Sequence, residues 1–252
     1  MTQDGRDPEA GRELRQDRWA QRLIGDRDLR VRPYREGDRD AIEAIVRGTG
    51  LRGRPVRDFF EDEEVVLRIF AEYYLEVEPE SCLVAEMDGR LCGYILGCAD
   101  TRRYERYLLR LAPQLLARVG TGIVGLRLRE PQTYRTLWWL LSRAYREAPP
   151  VDLRRYPAHV HVGIDLRALG DDAAFAWWPV WAQLLLALER NFLDRGVRGV
   201  HGHVAEPISQ RALTRRLRVL GWRLLEERRF SLFGALTGEP YVIRAVGKEL
   251  AP

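Results

Sequence analysis

Lysine is almost absent from this chain of 252 residues: of 41 basic side chains, only Lys248 is not an arginine. Arginine in such excess suits bidentate contact with phosphate or carboxylate, and it equally follows from a GC-rich coding sequence. The 37 acidic residues leave a net charge of only +4, and the two signs interleave, as in "RRYERYLLR". No stripe of one sign is present, which argues against a nucleic-acid-binding face. Cysteine is scarce as well. Cys82, Cys92 and Cys98 are an odd number in one short region. With no apolar core in the opening "MTQDGRDPEAGRELRQDR", they predict reduced thiols in a cytoplasmic protein. The five-residue gap between Cys92 and Cys98 is not a zinc-ligand spacing, so burial as small apolar groups is expected. No run of about twenty apolar residues occurs, which excludes a membrane-spanning helix. The longest, "WPVWAQLLLAL", reads as a buried helix.

At 46% hydrophobic, the chain has enough apolar surface for a substantial core. Residues 1–27 read as a polar tail, disordered or weakly helical, and 28–252 as a single domain. "LRVRPY" alternates like a strand, and a helix follows that starts near Asp38 or Asp40. "EDEEVVLRIFAEYYLEVEP" is an amphipathic helix with acids at its N-terminus, where the helix dipole favours them. "SCLVAEMDGRLCGYILGCAD" is two apolar runs joined by Asp88-Gly89, a hairpin signature. Two helices over about 101–156 interrupt the strands as an insertion. "YPAHVHVGIDL" returns to strand. A long helix follows, with Pro179 at its first position and Gly196 as its cap. "VRGVHGHVAE" is a strand, "SQRALTRRLRVLG" a basic helix, and "WRLLEERRFSLFG" and "YVIRAVGKEL" two closing strands. A strand, helix and strand over 158–206 imply one parallel pair with a crossover. The rest reads as antiparallel, so the class is α/β, of mixed α+β character.

All four histidines fall in two H-x-H patterns, His159 with His161 and His201 with His203. On a strand, alternate residues share a face. His159, His161, Gly163 and Asp165 therefore point one way, and Val160, Val162, Ile164 and Leu166 the other, into the core. Three functions are open to the histidines: metal ligation, which needs three or four converging donors; structural burial; and proton transfer. The tryptophans Trp138, Trp139, Trp177, Trp178 and Trp181 suit either a ligand pocket or the packing of the insertion.

The order of these phrases resembles the GNAT acyltransferase superfamily. "RVRPYREGDRDAIEAIVRGTG" is similar to its first strand and helix. "VAEMDGRLCGYILG" is similar to its second and third strands, and "LERNFLDRGVRGVHGHV" and "SQRALTRRLRVLGW" to its later helices and strand. A narrower resemblance is to the acetyltransferase-like domain of protein O-GlcNAc hydrolases and its free-standing bacterial relatives. It is carried by "GYILGCADT", by the helical insertion, and by "YPAHVHVGID", where Gly163 replaces an aspartate and Asp165 comes two residues later.

The resemblance implies a GNAT fold in which two central parallel strands splay and an acyl-CoA, acetyl-CoA or a longer one, lies in the gap. The partners it implies are that acyl-CoA, an amine acceptor and, in a homodimer, a second copy of the chain. Carried over residue by residue, Ile164, Leu166, Arg167, Ala168, Leu169 and Gly170 would hold pantetheine and pyrophosphate, with Ser209 and Arg216 nearby. His161, Asp165, His201 and Glu206 are the candidate proton acceptors. Two departures follow. "RALGDDA" puts Asp172 where the family has Gly or Ala, and Asp171 and Asp172 would repel a pyrophosphate. The family's tyrosine position falls on Arg216 or Leu217. A GNAT-fold binding or scaffold module without CoA chemistry is the alternative to a transferase.

Overall fold

Leu29–Pro33 forms β1, whose Leu29 and Val31 pack on the core while Arg32 turns to two carboxylates. Its guanidinium meets Asp38 at 2.7 and 2.8 Å and Glu86 at 2.6 Å. Asp38 also accepts from the Arg35 amide at 2.8 Å, so this one residue fixes the entry into helix α1, Arg39–Gly48. The structure is a computed structural model and describes residues 25–50, 53–170 and 173–250. Asp171 and Asp172 and most of the 1–27 tail lie outside those residues.

Helix α2 begins as Glu63–Leu67, passes through a π-helical stretch at Arg68–Glu72 and continues as Tyr73–Val77. Strands β2, Cys82–Met87, and β3, Arg90–Cys98, are joined by Asp88 at φ 54° and Gly89 at φ 76°. Both central residues are left-handed, as a type I′ hairpin requires. Helices α3, Thr101–Val124, α4, Pro131–Ser142, and α5, Ala144–Glu147, stand between β3 and β4, Ala158–Ile164. Helix α6, Ala173–Asp194, crosses to β5, Gly199–Pro207. Helix α7, Ala212–Val219, β6, Arg223–Arg229, helix α8, Ser231–Thr237, and β7, Tyr241–Glu249, complete the chain.

The seven strands form one sheet in the order β1-β2-β3-β4-β5-β7-β6, antiparallel except for β4 beside β5. Alternation divides the core between its two faces. Leu83, Ala85, Cys92 and Ile95 lie under α6 with Val180, Leu184 and Leu188. Val84, Tyr94, Leu96 and Cys98 lie under α1 and α2 with Ile42, Tyr73 and Tyr74. All three cysteines are buried and free. Burial pushes the thiols of Cys92 and Cys98 up to about 12, so they are not reactive thiolates. Among the described residues, no helix is long and apolar enough to cross a membrane.

Three expectations are corrected. Helix α6 starts at Ala173, not at Pro179, which lies inside it; proline signals a first turn only when nothing helix-forming precedes it, and Ala173, Ala174 and Ala176 do. The stretch "WRLLEERRFSLFG" is not one strand. It ends as β6 at Arg229 and becomes α8, which turns Phe230 and Leu232 into a small core with Tyr241. Leu166 is 42% exposed rather than in the core, because β4 ends at Ile164 and the alternation ends with it.

Gly163 is sterically required. A Cβ there would meet the Tyr94 ring at 2.5–2.6 Å, so the ring occupies the space that an aspartate at this position would need. Gly163→Ala is expected to lower stability by about 1–3 kcal/mol, as overpacking does. In a Tyr94→Ala background the same change should cost less. Denaturant unfolding of the four proteins in the cycle checks this.

Candidate active site

β4 and β5 face each other in register at Ala158–Val200 and His159–His201 and at no later residue. Beyond His159, the β5-facing edge of β4 has no strand partner among the described residues, although its other edge pairs with β3 through Ile164. His161 stands beside this opening and lines a cavity of about 370 Å³. Helices α1 and α2 contribute Val46, Val65, Ile69 and Phe70 to its wall. The insertion contributes Thr136, Trp139 and Leu140, and the α8 segment Phe230, Leu232 and Phe233.

The insertion is held in place by two carboxylates. Glu147 accepts from Trp139 Nε1 at 2.8 Å and from the Ser231 amide and hydroxyl at 2.7 and 2.6 Å. Burial works to raise its pKa, but these bonds win and hold the carboxyl below its ordinary range. Glu61 accepts from the amides of Arg129 and Glu130 at 2.9 Å, satisfying donors beside the start of α4. Thr136 donates to the Phe59 carbonyl at 2.7 Å.

The imidazole of His161 is half-buried, 5.2 Å from the Phe70 ring and 5.8 Å from Tyr94, whose hydroxyl is 3.4 Å from Nδ1. Burial drives its pKa down to about 4, so the ring is neutral at neutral pH and has a lone pair to accept a proton.

The other histidines are placed differently. Thr101 donates its hydroxyl to the Pro157 carbonyl at 2.7 Å, so it accepts from His159 Nδ1 at 2.8 Å. The Tyr74 hydroxyl then donates to Nε2 at 2.7 Å. This assigns His159 a neutral tautomer with both nitrogens engaged, and burial lowers its pKa to about 3. His201 is buried, with Nδ1 donating to the Tyr156 carbonyl at 3.0 Å. His203 Nε2 donates to the Pro149 carbonyl at 3.2 Å. Both line a second, more open cavity of about 690 Å³ with Glu105, Arg146 and Arg228. The two H-x-H patterns thus serve different spaces, and only His161 reaches the apolar one. Among the described residues, no three His, Cys, Asp or Glu side chains are grouped to hold a metal.

The structure does not bring the remaining candidate bases to His161. Asp165 follows the strand and accepts from the Arg167 amide at 2.9 Å, starting a turn. Glu206 accepts from the Leu213 amide at 2.9 Å and the Thr214 hydroxyl at 2.7 Å, and pairs with the fully buried Arg244 at 2.9 Å. The cofactor candidates lie along the loop from β4 to α6. Ile164 and Ala168 pack on the α6 core, and Leu169 is buried, its carbonyl accepting from Arg27 at 2.7 Å. The Ala168 amide goes to the Asp165 carbonyl and that of Gly170, at φ 68°, to Arg167. Three amides of the loop are therefore already satisfied. Ser209 is exposed, and Arg216 lies 4.7 Å over Trp177 and 5.3 Å over Trp178, linking α7 to α6. Trp139 faces the cavity, whereas Trp138 is exposed. Phe70, Tyr94, Phe230 and Phe233 were not legible as site residues. Those of the α8 segment are hidden by its strand-like sequence.

Folded, His159, His161 and His201 stay neutral well below their ordinary value near 6.5, while the unfolded chain takes up protons there. The unfolded state then binds more protons, so stability falls as the pH falls. The loss should begin below about pH 6.5 and continue toward pH 4. The melting temperature is expected to drop between pH 7 and 5, and a His159→Phe variant to show a shallower slope over that range.

No protein-family model matches the sequence. Among solved structures, the chain is similar to the crystal structure of SsHAT, with 26% identity and a TM-score of 0.59, over 89% of this chain and 100% of that one. It also aligns with yncA, a putative acetyltransferase from Salmonella typhimurium solved with acetyl-CoA, at 16% identity and TM-score 0.49 over 88% and 94% of the two chains. An N-acetyltransferase from Staphylococcus aureus Mu50 aligns at 12% and 0.49 over 89% and 99%. With one parallel pair at the centre of an otherwise antiparallel sheet, parting toward its C-terminal ends, the chain has the GNAT acetyltransferase fold.

Proposed function

We propose that the chain transfers an acyl group from a CoA thioester to an amine, with His161 as the group that moves the proton. One observation carries this reading: a neutral histidine stands at the place where β4 and β5 part, with a closed-in cavity on one side and an open strand edge on the other. A thioester laid along the free edge of β4 finds backbone donors and acceptors there, as an added strand does. An amine presented from the cavity reaches the same point. Of the four candidate bases, Asp165 accepts the turn amide of Arg167, Glu206 is held by the Leu213 amide, the Thr214 hydroxyl and Arg244, and His201 faces the other cavity.

One observation favours the alternative, a GNAT-fold binding module. The turn at 165–170 gives three of its amides, those of Arg167, Ala168 and Gly170, to itself, and a pyrophosphate would need such donors. Calorimetric titration with acetyl-CoA separates the two readings. The transferase reading expects binding, and no heat at millimolar ligand would eliminate it. With binding in hand, His161→Phe should leave the acetyl-CoA affinity within a few-fold and lower kcat by about 10²-fold or more. The acid limb of wild-type kcat/KM should lie below pH 5, since the ring stays neutral to about 4.

A further inference from the structure

The cavity beside His161 is notable for what its wall lacks. Among the described residues, no Asp, Glu, Lys or Arg lines it. Its two threonine hydroxyls are already committed, Thr49 to the Ile45 carbonyl at 2.6 Å and Thr136 to the Phe59 carbonyl at 2.7 Å. The polar side-chain groups left for a ligand are His161 and the Tyr94 hydroxyl, side by side at one end. Phe70, Trp139, Phe230, Leu232 and Phe233 supply the body of the wall. A volume of about 370 Å³ is that of a small-molecule site rather than of a packing defect.

From this we infer that the cavity takes the body of the acceptor, and that the acceptor is an arylamine, an amine on an aromatic skeleton that carries neither a charge nor a set of hydroxyls. The inference rests on the acyltransferase reading and names its second substrate. A cation enclosed by these walls would lose its hydration with no carboxylate to replace it. A sugar would bury hydroxyls without partners, which costs more than an apolar group gains. An arylamine avoids both penalties. It is uncharged at neutral pH, fills the apolar space with a flat ring, and keeps its one polar atom for the histidine.

The chemistry is consistent with a weakly basic histidine. The amine lone pair attacks the thioester carbonyl carbon, forming the C–N bond as the C–S bond breaks. The proton that the nitrogen sheds goes to the free ring nitrogen of His161 and then to the departing sulfur, giving an amide and a free thiol. No proton has to be removed before attack, so a strong base is unnecessary. The geometry also places the acceptor, not the acyl chain, in the cavity. The cavity lies on the α1 and α2 side of the sheet, whereas the loop after β4 leads to α6 on the other side.

The test compares acceptors at fixed acetyl-CoA: 2-aminonaphthalene against spermidine, glucosamine and a lysine-containing peptide. The arylamine is expected to exceed each of the others in kcat/KM by about a hundredfold. Leu232→Phe, and separately Leu140→Trp on the half-exposed rim of the wall, should raise its KM while leaving acetyl-CoA affinity unchanged. Equal or better turnover of the charged amines overturns the proposal. So does a preference for octanoyl-CoA over acetyl-CoA with a small polar amine, because the cavity would then hold the acyl chain. The naphthylamine alone is also titrated by its fluorescence. Binding that both variants weaken, in a protein that ignores acetyl-CoA, would sink the transferase reading and keep the cavity's chemistry. Absence of that binding would overturn the present inference whatever acetyl-CoA does.

Discussion

The paired register of β4 and β5 lasts for two residues, Ala158 with Val200 and His159 with His201, and both cavities follow from where it stops. Each strand keeps a full ladder on its outer side, β4 with β3 and β5 with β7. The sheet therefore opens in its middle without fraying at the edges. His159 sits at the last pair, fixed between Tyr74 and Thr101. Thr101 is also the first residue of α3, so the insertion begins where the strands part. A polar ring at that position is costly unless both nitrogens are bonded, and here both are. The neutrality of the histidine row follows from the same enclosure.

A second buried group explains why a carboxylate at the end of β5 is unavailable for chemistry. Arg244 on β7 has no solvent exposure, and its guanidinium is shared between Glu227 on β6 at 2.6 Å and Glu206 on β5 at 2.9 Å. Glu206 also receives the Leu213 amide and the Thr214 hydroxyl in the first turn of α7, and so ties helix, strand and neighbouring strand together. Removing it would leave the buried guanidinium to Glu227 alone and take a capping acceptor from α7, and breaking a buried pair in this way is destabilising. The Glu206 oxygens are therefore structural, and in the proposed reaction the proton falls to His161.

Much of this was legible in the sequence because it depends on local rules. Asp88-Gly89 encodes a left-handed turn, alternation in "AHVHVGI" assigns faces to β4, and a helical pattern over 101–156 marks the insertion. What could not be read depends on distant contacts. Nothing near Glu147 says that it will receive Trp139 and Ser231, since the partners are 8 and 84 residues away. The segment after Arg229 is apolar enough to pass for strand, and only packing on Tyr241 and Trp139 makes it a helix. The two H-x-H patterns look equivalent in sequence. They differ because β5 meets the end of the insertion through Pro149 and Tyr156 while β4 meets Phe70 and Tyr94. Gly163 looks like a lost aspartate until the Tyr94 ring is seen in its place.

The two ends of the site differ in how much the chain invests in them. At the loop end, the amides of Arg167, Ala168 and Gly170 close a turn on themselves, and Arg216 lies over Trp177. At the cavity end, helix α4 of the insertion, a π-helical stretch in α2 and the α8 segment converge on one wall, and Glu61 and Glu147 hold the insertion to its neighbours. Binding free energy follows preorganised, desolvated surface rather than the number of elements present. By that measure, in the proposed reaction discrimination belongs to the partner that enters beside His161.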